Sequence, residues 1–295
     1  MRELSPKVCI ATAAALTVFL GGCEAKVFGA SAAAPVQAIV LRQPPLGIPG
    51  AAVDGLPARI KQATDDAAAN GAALSIAVLD RVKKRMLSNG NDQLVAIASV
   101  AKLFIADDAL SQGSDGNRQL SSEERRALDA MLRSSDDDAA DTFWNELGGE
   151  SIITGVAGRY GLASTTPPSD GRWWNTMSSA SDLVHYYDML LSGAGGLPAE
   201  RAEVILDDLA ESTETGVDGY PQRFGIPDGL YAERVAVKQG WMCCVGSAWM
   251  HLSTGVIGQD GRYVMVIESL QTSDDATARE TITRAVKTMF PGGKV

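Results

Sequence analysis

The order of helix-like and strand-like segments constrains the fold of this chain more than any other feature. Two strand-like segments, 72–80 and 86–90, follow a helical pattern at 56–70, and three more strand-like segments lie in the last third of the chain. Alternating or continuous short apolar runs mark strands, whereas apolar residues three and four apart mark helices. A long helical stretch separates the two groups of strands. We therefore predict one antiparallel sheet with a helical block inserted into it.

The C-terminal strands are predicted at 234–243, 247–257 and 262–270, and a helix at 274–290 follows them. Gln259-Asp260-Gly261 joins the last two strands and is typical of a hairpin, because Asp and Gly favour tight-turn conformations. These two strands are therefore expected to pair with each other.

The helical block is predicted from apolar patterns at 121–133, 136–147, 151–160, 180–191 and 198–211. Its first helix begins after Ser121, and Glu124 follows three residues later, which is the pattern of a capping box. An irregular loop at 163–178 interrupts the block, because Pro167-Pro168 and Asp170-Gly171 favour turns over helix.

The N-terminal segment is typical of an exported protein. Arg2 and Lys7 precede an apolar stretch at 8–20 that is too short to span a bilayer as a helix. The stretch ends in Leu20-Gly21-Gly22-Cys23, which resembles a bacterial lipobox. We expect residues 1–22 to be a signal peptide, Cys23 to be lipidated, and the Ala-, Pro- and Gly-rich residues 23–55 to form a tether. The alternative is an ordinary secretory signal with an incidental cysteine.

Charge and histidine content exclude several classes of function. The formal net charge is −10, which argues against nucleic acid as a partner. The two histidines, His185 and His251, do not have the spacing of metal ligands, so no metal site is predicted. Because the chain has only two histidines, a Ser-His-Asp triad is not expected either. A structural role is expected for both histidines.

Ser99-Val100-Ala101-Lys102 follows an apolar run where a helix is expected to begin. Residues three apart on a helix share a face, so Lys102 can reach the Ser99 hydroxyl. A lysine that takes the hydroxyl proton activates a serine as a nucleophile, and a helix N-terminus favours developing negative charge. Taken alone, the pattern also fits an N-cap serine followed by a surface lysine.

This motif, within this order of elements, resembles the serine β-lactamase and penicillin-binding-protein family over residues 56–291. The resemblance implies an α/β (α+β) fold: a five-stranded antiparallel sheet flanked by helices, plus an all-helical subdomain. It implies an α/β part at 56–98 and 212–291 and a helical part at 99–211. No cofactor and no metal are implied.

Three motifs carry the chemistry of that family. The first implies that Ser99 is the acylated nucleophile and that Lys102 is its activating base. The second, Ser-Asp-Asn in the family, resembles Ser135-Asp136-Asp137. The resemblance implies that Ser135 passes a proton to the leaving group and that Asp137 contacts the substrate in place of Asn. An Asp-rich helix N-terminus, stabilised by the helix dipole, explains the same residues, and both interpretations can hold.

The third motif, Lys-Thr/Ser-Gly in the family, resembles Lys238-Gln239-Gly240. It implies that Lys238 adds positive potential near Ser135 and that Gly240 lets the substrate backbone approach closely. Gln239 departs from the family pattern, because the small hydroxyl that binds the substrate carboxylate is missing. The hypothesis at this position is that the longer amide fills the same place.

The resemblance also implies an oxyanion hole, with the backbone N–H of Ser99 as one donor. The second donor is expected from Trp241, Met242 or Cys243, which follow the third motif on the same strand. Trp241 is therefore included among the predicted substrate-binding residues.

The loop at 163–178 departs further from the family. Class A β-lactamases carry a Glu in the corresponding loop that activates the deacylating water, whereas this loop has no Glu and Asp170 is its only acid. The missing Glu predicts that Ser99 is acylated but that the acyl group is not released rapidly. Trp173 and Trp174 in this loop are expected to anchor it by packing, and the alternative is that they wall a cleft.

The lipobox-like sequence, taken together with the family resemblance, predicts a cell-envelope lipoprotein held on the extracytoplasmic face of the membrane through Cys23. Its ligand would be a β-lactam or a peptidoglycan stem peptide of the D-Ala-D-Ala type, which acylates Ser99 and leaves slowly. One alternative is a catalytically inactive relative that binds an envelope peptide or glycan, and another is an assembly lipoprotein that acts through its surface. Efficient β-lactamase activity is not expected.

Cys243 and Cys244 are adjacent in a predicted strand. Neighbouring side chains on a strand point to opposite faces, so a disulfide between them is sterically awkward and buried thiols are expected. The alternative is a strained vicinal bridge, because an exported protein meets oxidising conditions.

Overall fold

The computed structural model describes residues 55–112 and 119–295. The predicted signal peptide, Cys23 and the predicted tether up to residue 54 lie outside the described residues. Within the described ranges, no helix is both long and apolar enough to cross a membrane.

An antiparallel sheet of five strands forms the centre of the fold, in the order β2-β1-β7-β6-β5. The strands, with the two-residue pair β3 and β4, are β1 (Ala72–Asp80), β2 (Arg85–Ser88), β3 (Val95–Ala96), β4 (Met177–Ser178), β5 (Val235–Val245), β6 (Ala248–Ile257) and β7 (Tyr263–Gln271). Strands from both ends of the chain therefore pair in one sheet, as predicted, and β1 lies next to β7.

The helices lie between and around these strands. They are α1 (Leu56–Ala69), α2 (Lys102–Ser111), α3 (Ser122–Arg133), α4 (Asp137–Leu147), α5 (Glu150–Tyr160), α6 (Ala180–Ser192), α7 (Ala199–Ala210), α8 (Ile226–Gly229) and α9 (Asp275–Met289). The predicted capping box is present at α3, where the Ser121 hydroxyl accepts from the Glu124 N–H and the Glu124 carboxylate accepts from the Ser121 N–H.

Each face of the sheet covers its own apolar core. One face packs against α1 and α9, with Leu74, Ile76 and Val78 of β1 in that core. The other face packs against the helical block, with Ala77 and Leu79 of the same strand in the second core. Alternate residues of β1 thus enter opposite cores, because successive side chains of a strand point to opposite sides.

β5 is one of the two edge strands of the sheet, and the segment that carries Ser99 packs beside it. Residues 98–101 form a single 3₁₀ turn rather than the first turn of an α-helix, and α2 begins only at Lys102. The Val100 N–H donates to the Ile97 carbonyl at 3.0 Å, the i to i+3 bond of a 3₁₀ turn. Sequence patterns did not predict β3 and β4, which pair with each other, and β3 ends just before this turn.

Candidate active site

The Ser99 turn fits closely against β5 because Gly240 lacks a side chain. A Cβ at Gly240 would lie 2.7 Å from the Ile97 carbonyl oxygen and 3.5 Å from the Ala98 Cβ. Ala98 itself has a φ of 47°, a left-handed conformation that is uncommon for a residue with a side chain. The backbone just before Ser99 is thus held in a strained conformation by close packing, which is frequent at functional sites.

Lys102 places its Nζ at the centre of the predicted motif residues. It donates to Ser99 Oγ at 3.1 Å, to Ser135 Oγ at 3.0 Å and to the Ser135 carbonyl at 2.7 Å. The Asp137 carboxylate accepts a fourth contact at 2.5 Å. The lysine is completely buried, whereas the Asp137 side chain is exposed.

Lys238 reaches the same group from the sheet. Its Nζ donates to Ser135 Oγ at 2.9 Å and to the carbonyl of Gln239 at 3.2 Å. The Ser135 hydroxyl therefore lies between two lysine nitrogens. The backbone of Ser135, at the junction of α3 and α4, has a φ of 56°. Ser99, Lys102, Ser135 and Lys238 form one connected set of hydrogen bonds.

Burial lowers the pKa of both lysines. Desolvation lowers the pKa of Lys102 from its usual value, although the Asp137 carboxylate opposes this change. Desolvation also holds the pKa of Lys238 well below its usual value, and the nearby charge of Lys102 lowers it further. The neutral amine of a lysine is the form that accepts a proton, so burial makes Lys102 a better general base at neutral pH.

A cleft of about 200 Å³ opens beside Ser99. Its walls are largely aromatic and acidic, and the residues that line it are Ala98, Ser99, Asp137, Trp173, Trp174, Asp218, Trp241 and Met242. A larger cavity of about 630 Å³ lies elsewhere, between the ends of α6 and α7 and the start of β5, and contains none of the motif residues. Because the connected hydroxyl and amine groups lie at the smaller cleft, we take that cleft as the candidate active site.

Asp218 is the cleft residue that sequence reasoning missed. It lies in the loop after α7, in a Gly- and Pro-rich stretch that contains a turn pattern at Asp218-Gly219 but no motif of the family. Its carboxylate accepts from the Tyr220 N–H at 2.9 Å, as in an ordinary turn. Nothing in that pattern indicates its nearness to Ser99.

Mycobacterial proteins match this chain over its full length. The chain is 58% identical over 314 aligned residues to LppW of Mycobacterium tuberculosis H37Rv and of Mycobacterium bovis, and each match covers 100% of both proteins. This chain belongs to the LppW family. The name of those relatives designates them as lipoproteins. No protein-family model matches the chain.

Solved structures establish the fold of this LppW-family chain as that of the class A β-lactamases and penicillin-binding proteins. A β-lactamase from Chitinophaga pinensis is 16% identical, with a TM-score of 0.66, and the match covers 79% of this chain and 98% of that one. The TLA-1 extended-spectrum β-lactamase is 14% identical (TM-score 0.65; 80% and 97% covered). PBP-A is 17% identical, with a TM-score of 0.64 and coverage of 80% and 94%.

The hypothesis that the Gln239 amide takes the place of the small hydroxyl in the cleft is wrong for this LppW-family protein. The amide does not occupy the cleft. The side chain is buried and donates to the carbonyl oxygens of Gln222 and Phe224, at 2.9 and 2.6 Å. Strand alternation explains this position, since Gln239 points to the face of the sheet opposite to that of its neighbours Lys238 and Gly240. The long amide reaches the loop before α8 instead of a ligand.

The loop at 163–178 places Trp173 beside Lys102. Trp173 is buried in the core, and its indole covers Lys102, with 4.8 Å between Nζ and the ring centre. Trp174 packs edge-to-face on Trp173, with 5.1 Å between the ring centres, and is partly exposed. Both rings also line the cleft, so packing and cleft formation, which were predicted as alternatives, occur together.

The two adjacent cysteines lie at the surface, whereas His251 lies in the core. Cys243 and Cys244 are both exposed, so the prediction of buried thiols is wrong. Both lie in β5 where its pairing with β6 shifts register, between Met242 and Val245, so the alternation of a regular strand does not apply to them. His251 is buried with Tyr220 and Phe224 on the α1/α9 face of the sheet, the face opposite to Ser99. Burial lowers the pKa of His251 to about 4.

Proposed function

We propose that Ser99 is an acyl-accepting nucleophile for β-lactams and for stem peptides of the D-Ala-D-Ala type, and that the acyl group leaves slowly. The observation that carries this proposal is the 3.1 Å contact between Ser99 Oγ and Lys102 Nζ within a buried hydrogen-bonded set. A hydroxyl with a buried amine at this distance has the arrangement of an activated nucleophile.

In the proposed reaction, Lys102 takes the Ser99 proton while Oγ attacks the carbonyl carbon of the ligand. The C–N bond of the β-lactam ring or of the peptide breaks, and its nitrogen receives a proton through Ser135. Lys238, 2.9 Å from Ser135 Oγ, supports that hydroxyl. Two buried amines on either side of one hydroxyl are suited to moving a proton from the nucleophile to the leaving group.

Slow release is proposed from the residues around Lys102. Hydrolysis of an acyl-enzyme needs a water held beside a general base. The indole of Trp173 occupies one side of Lys102, and the loop at 163–178 supplies no Glu. An aromatic carbon surface beside the lysine cannot hold or deprotonate a water, so we propose a long-lived acyl group.

Two comparisons support the proposal from outside the site. A solved mutant of PBP-A, with a TM-score of 0.65 to this chain, is an acyl-enzyme complex with penicillin G. The LppW relatives are named as lipoproteins. We accordingly propose lipidation at Cys23 after removal of residues 1–22, a tether at 23–55, and placement on the extracytoplasmic face of the cell membrane, with the folded domain at 56–291 facing peptidoglycan.

The test is intact-mass measurement after incubation with penicillin G. Ring opening adds the whole ligand, so one adduct of the full penicillin mass is expected and should persist for hours. Ser99→Ala should abolish it, and Lys238→Met should slow its formation while preserving side-chain volume. Ser122→Ala, at an exposed position of α3, is the control and should leave it unchanged. An adduct lost within minutes would contradict slow release.

A second candidate function is ligand binding without chemistry. The Asp137 carboxylate at 2.5 Å favours the charged form of Lys102, which cannot accept a proton. The cleft of about 200 Å³ is also smaller than the roughly 300–1,000 Å³ typical of ligand pockets. This function requires the absence of an adduct in the same experiment, together with saturable binding of an envelope peptide or glycan that survives Ser99→Ala.

A further inference from the structure

The end of β5 carries two adjacent thiols beside the candidate cleft. Trp241 and Met242 line that cleft, and Cys243 and Cys244 follow them directly. The pairing of β5 with β6 shifts register between Met242 and Val245, so both cysteines lie in an irregular part of the strand. Cys244 has a φ of 65°, a left-handed conformation that is rare for cysteine.

This conformation brings the two sulfur atoms together. On a regular strand the side chains of neighbouring residues point to opposite faces. Here the two Sγ atoms lie 2.8 Å apart, with both thiols free and both residues exposed. The steric objection to a vicinal bridge that applies to a regular strand therefore does not apply to this pair, and the thiols are open to reagents from solvent.

We propose that Cys243 and Cys244 are a redox site that reversibly forms a vicinal disulfide by exchange with a disulfide-bearing oxidant. One thiolate attacks the oxidant's disulfide, forming a mixed disulfide and releasing one thiol of the oxidant. The second cysteine, as its thiolate, then attacks the bound cysteine sulfur and releases the other thiol. The pair loses two electrons and two protons, and the oxidant's disulfide becomes two thiols.

The bridge is expected to be easily reduced. Adjacent Cα atoms are about 3.8 Å apart, which is shorter than the roughly 4.4–6.8 Å of ordinary disulfides. Strained or exposed disulfides belong to the labile class that responds to the thiol balance of the surroundings, whereas structural ones are buried and resistant. The site is therefore a sensor rather than a stabilising bridge, and it does not depend on acylation of Ser99.

Mass mapping of the full chain tests this proposal. The protein is equilibrated with glutathione disulfide or with dithiothreitol, alkylated with iodoacetamide and digested with trypsin. Both cysteines fall in the peptide 239–262, between Lys238 and Arg262. After oxidation this peptide should lack both alkyl groups and be lighter by two hydrogens than the unmodified dithiol peptide. After reduction it should carry two alkyl groups.

Single variants separate the vicinal bridge from other oxidation products. Cys243→Ser and Cys244→Ser each leave one exposed thiol without a neighbour, so each should retain glutathione as a stable mixed disulfide. In the unsubstituted protein that mixed disulfide should not accumulate. The proposal is overturned if the oxidised protein still takes two alkyl groups on this peptide, retains glutathione there, or forms dimers joined through it.

Discussion

The indole of Trp173 lies over the amine of Lys102, with 4.8 Å between Nζ and the ring centre, and donates its N–H to Asp141 at 2.7 Å. One side chain thus connects the loop at 163–178 with α4 and with the candidate base. A cation over an indole face is stabilised by the ring quadrupole, most strongly when both are shielded from water.

Trp173→Ala should destabilise the protein strongly, because it removes a buried ring and leaves Asp141 without its donor. We expect a loss of about 3–5 kcal/mol in the free energy of unfolding, measured by urea titration. Trp174→Ala is the matched control, since its ring is partly exposed and the loss should be clearly smaller. Equal losses for the two variants would contradict the buried, connecting role of Trp173.

Asp137→Asn should shift the pH dependence of acylation to lower pH. The Asp137 carboxylate raises the pKa of Lys102 against desolvation, so its neutralisation lets that pKa fall further. Each unit of decrease gives about ten times more neutral amine at a pH below the pKa. The rate of penicillin adduct formation between pH 5 and 9 is the measurement.

Asp138→Asn is the control for that shift, because it removes the same charge from an exposed neighbour that makes no contact with Lys102. It should leave the profile almost unchanged. A profile of Asp137→Asn that stays in place or moves to higher pH would show that the carboxylate does not set the protonation of the lysine.

Gly240→Ala should displace the Ser99 turn. The new Cβ would lie 2.7 Å from the Ile97 carbonyl oxygen, closer than van der Waals contact allows. We expect a loss of about 1–3 kcal/mol in stability and a slower acylation rate, since the nucleophile moves with the turn. Gly155→Ala, at an exposed position of α5 with open space around it, should instead be neutral or slightly stabilising.

Glu268 should make stability fall as pH rises from about 4.5 to 7. Burial in β7 raises the pKa of this carboxyl from 4.5 to about 7, so the folded state binds a proton that the unfolded state has lost in that range. The change of stability with pH that Glu268 causes is therefore opposite in sign to the change that His251 causes. The pKa of His251, about 4, makes stability rise between pH 4 and 6.5. The two slopes largely cancel in the unsubstituted protein.

Glu268→Gln removes the contribution of Glu268 to the pH dependence of stability and leaves that of His251. Relative to the unsubstituted protein, its free energy of unfolding should increase by about 3 kcal/mol between pH 4.5 and 7, followed by urea titration at each pH. Glu280→Gln, on the exposed side of α9, should follow the unsubstituted protein. A parallel pH dependence for Glu268→Gln and the unsubstituted protein would contradict the raised pKa.

Local patterns in the sequence were sufficient for most of the helices and strands and for the expectation that Lys102 lies within reach of the Ser99 hydroxyl. The hairpin signal at Gln259-Asp260-Gly261, the capping box at Ser121 and the apolar periods depend on residues only a few positions apart. The spacing of Ser99 and Lys102 is local in the same sense, and Lys102 Nζ lies 3.1 Å from Ser99 Oγ. Turn geometry and side-chain alternation, which do not need the rest of the fold, determine such features.

Only the tertiary structure decided what surrounds that pair. Trp173 and Asp218 come from loops tens of residues away in sequence, and their approach to Ser99 depends on how those loops pack on the sheet. The Gln239 amide points to the opposite face because one strand must serve two cores, and the two cysteine sulfurs meet because β5 leaves its regular register. Periodicity along a chain specifies which residues share a face, whereas contacts between distant segments depend on the packing of the whole core.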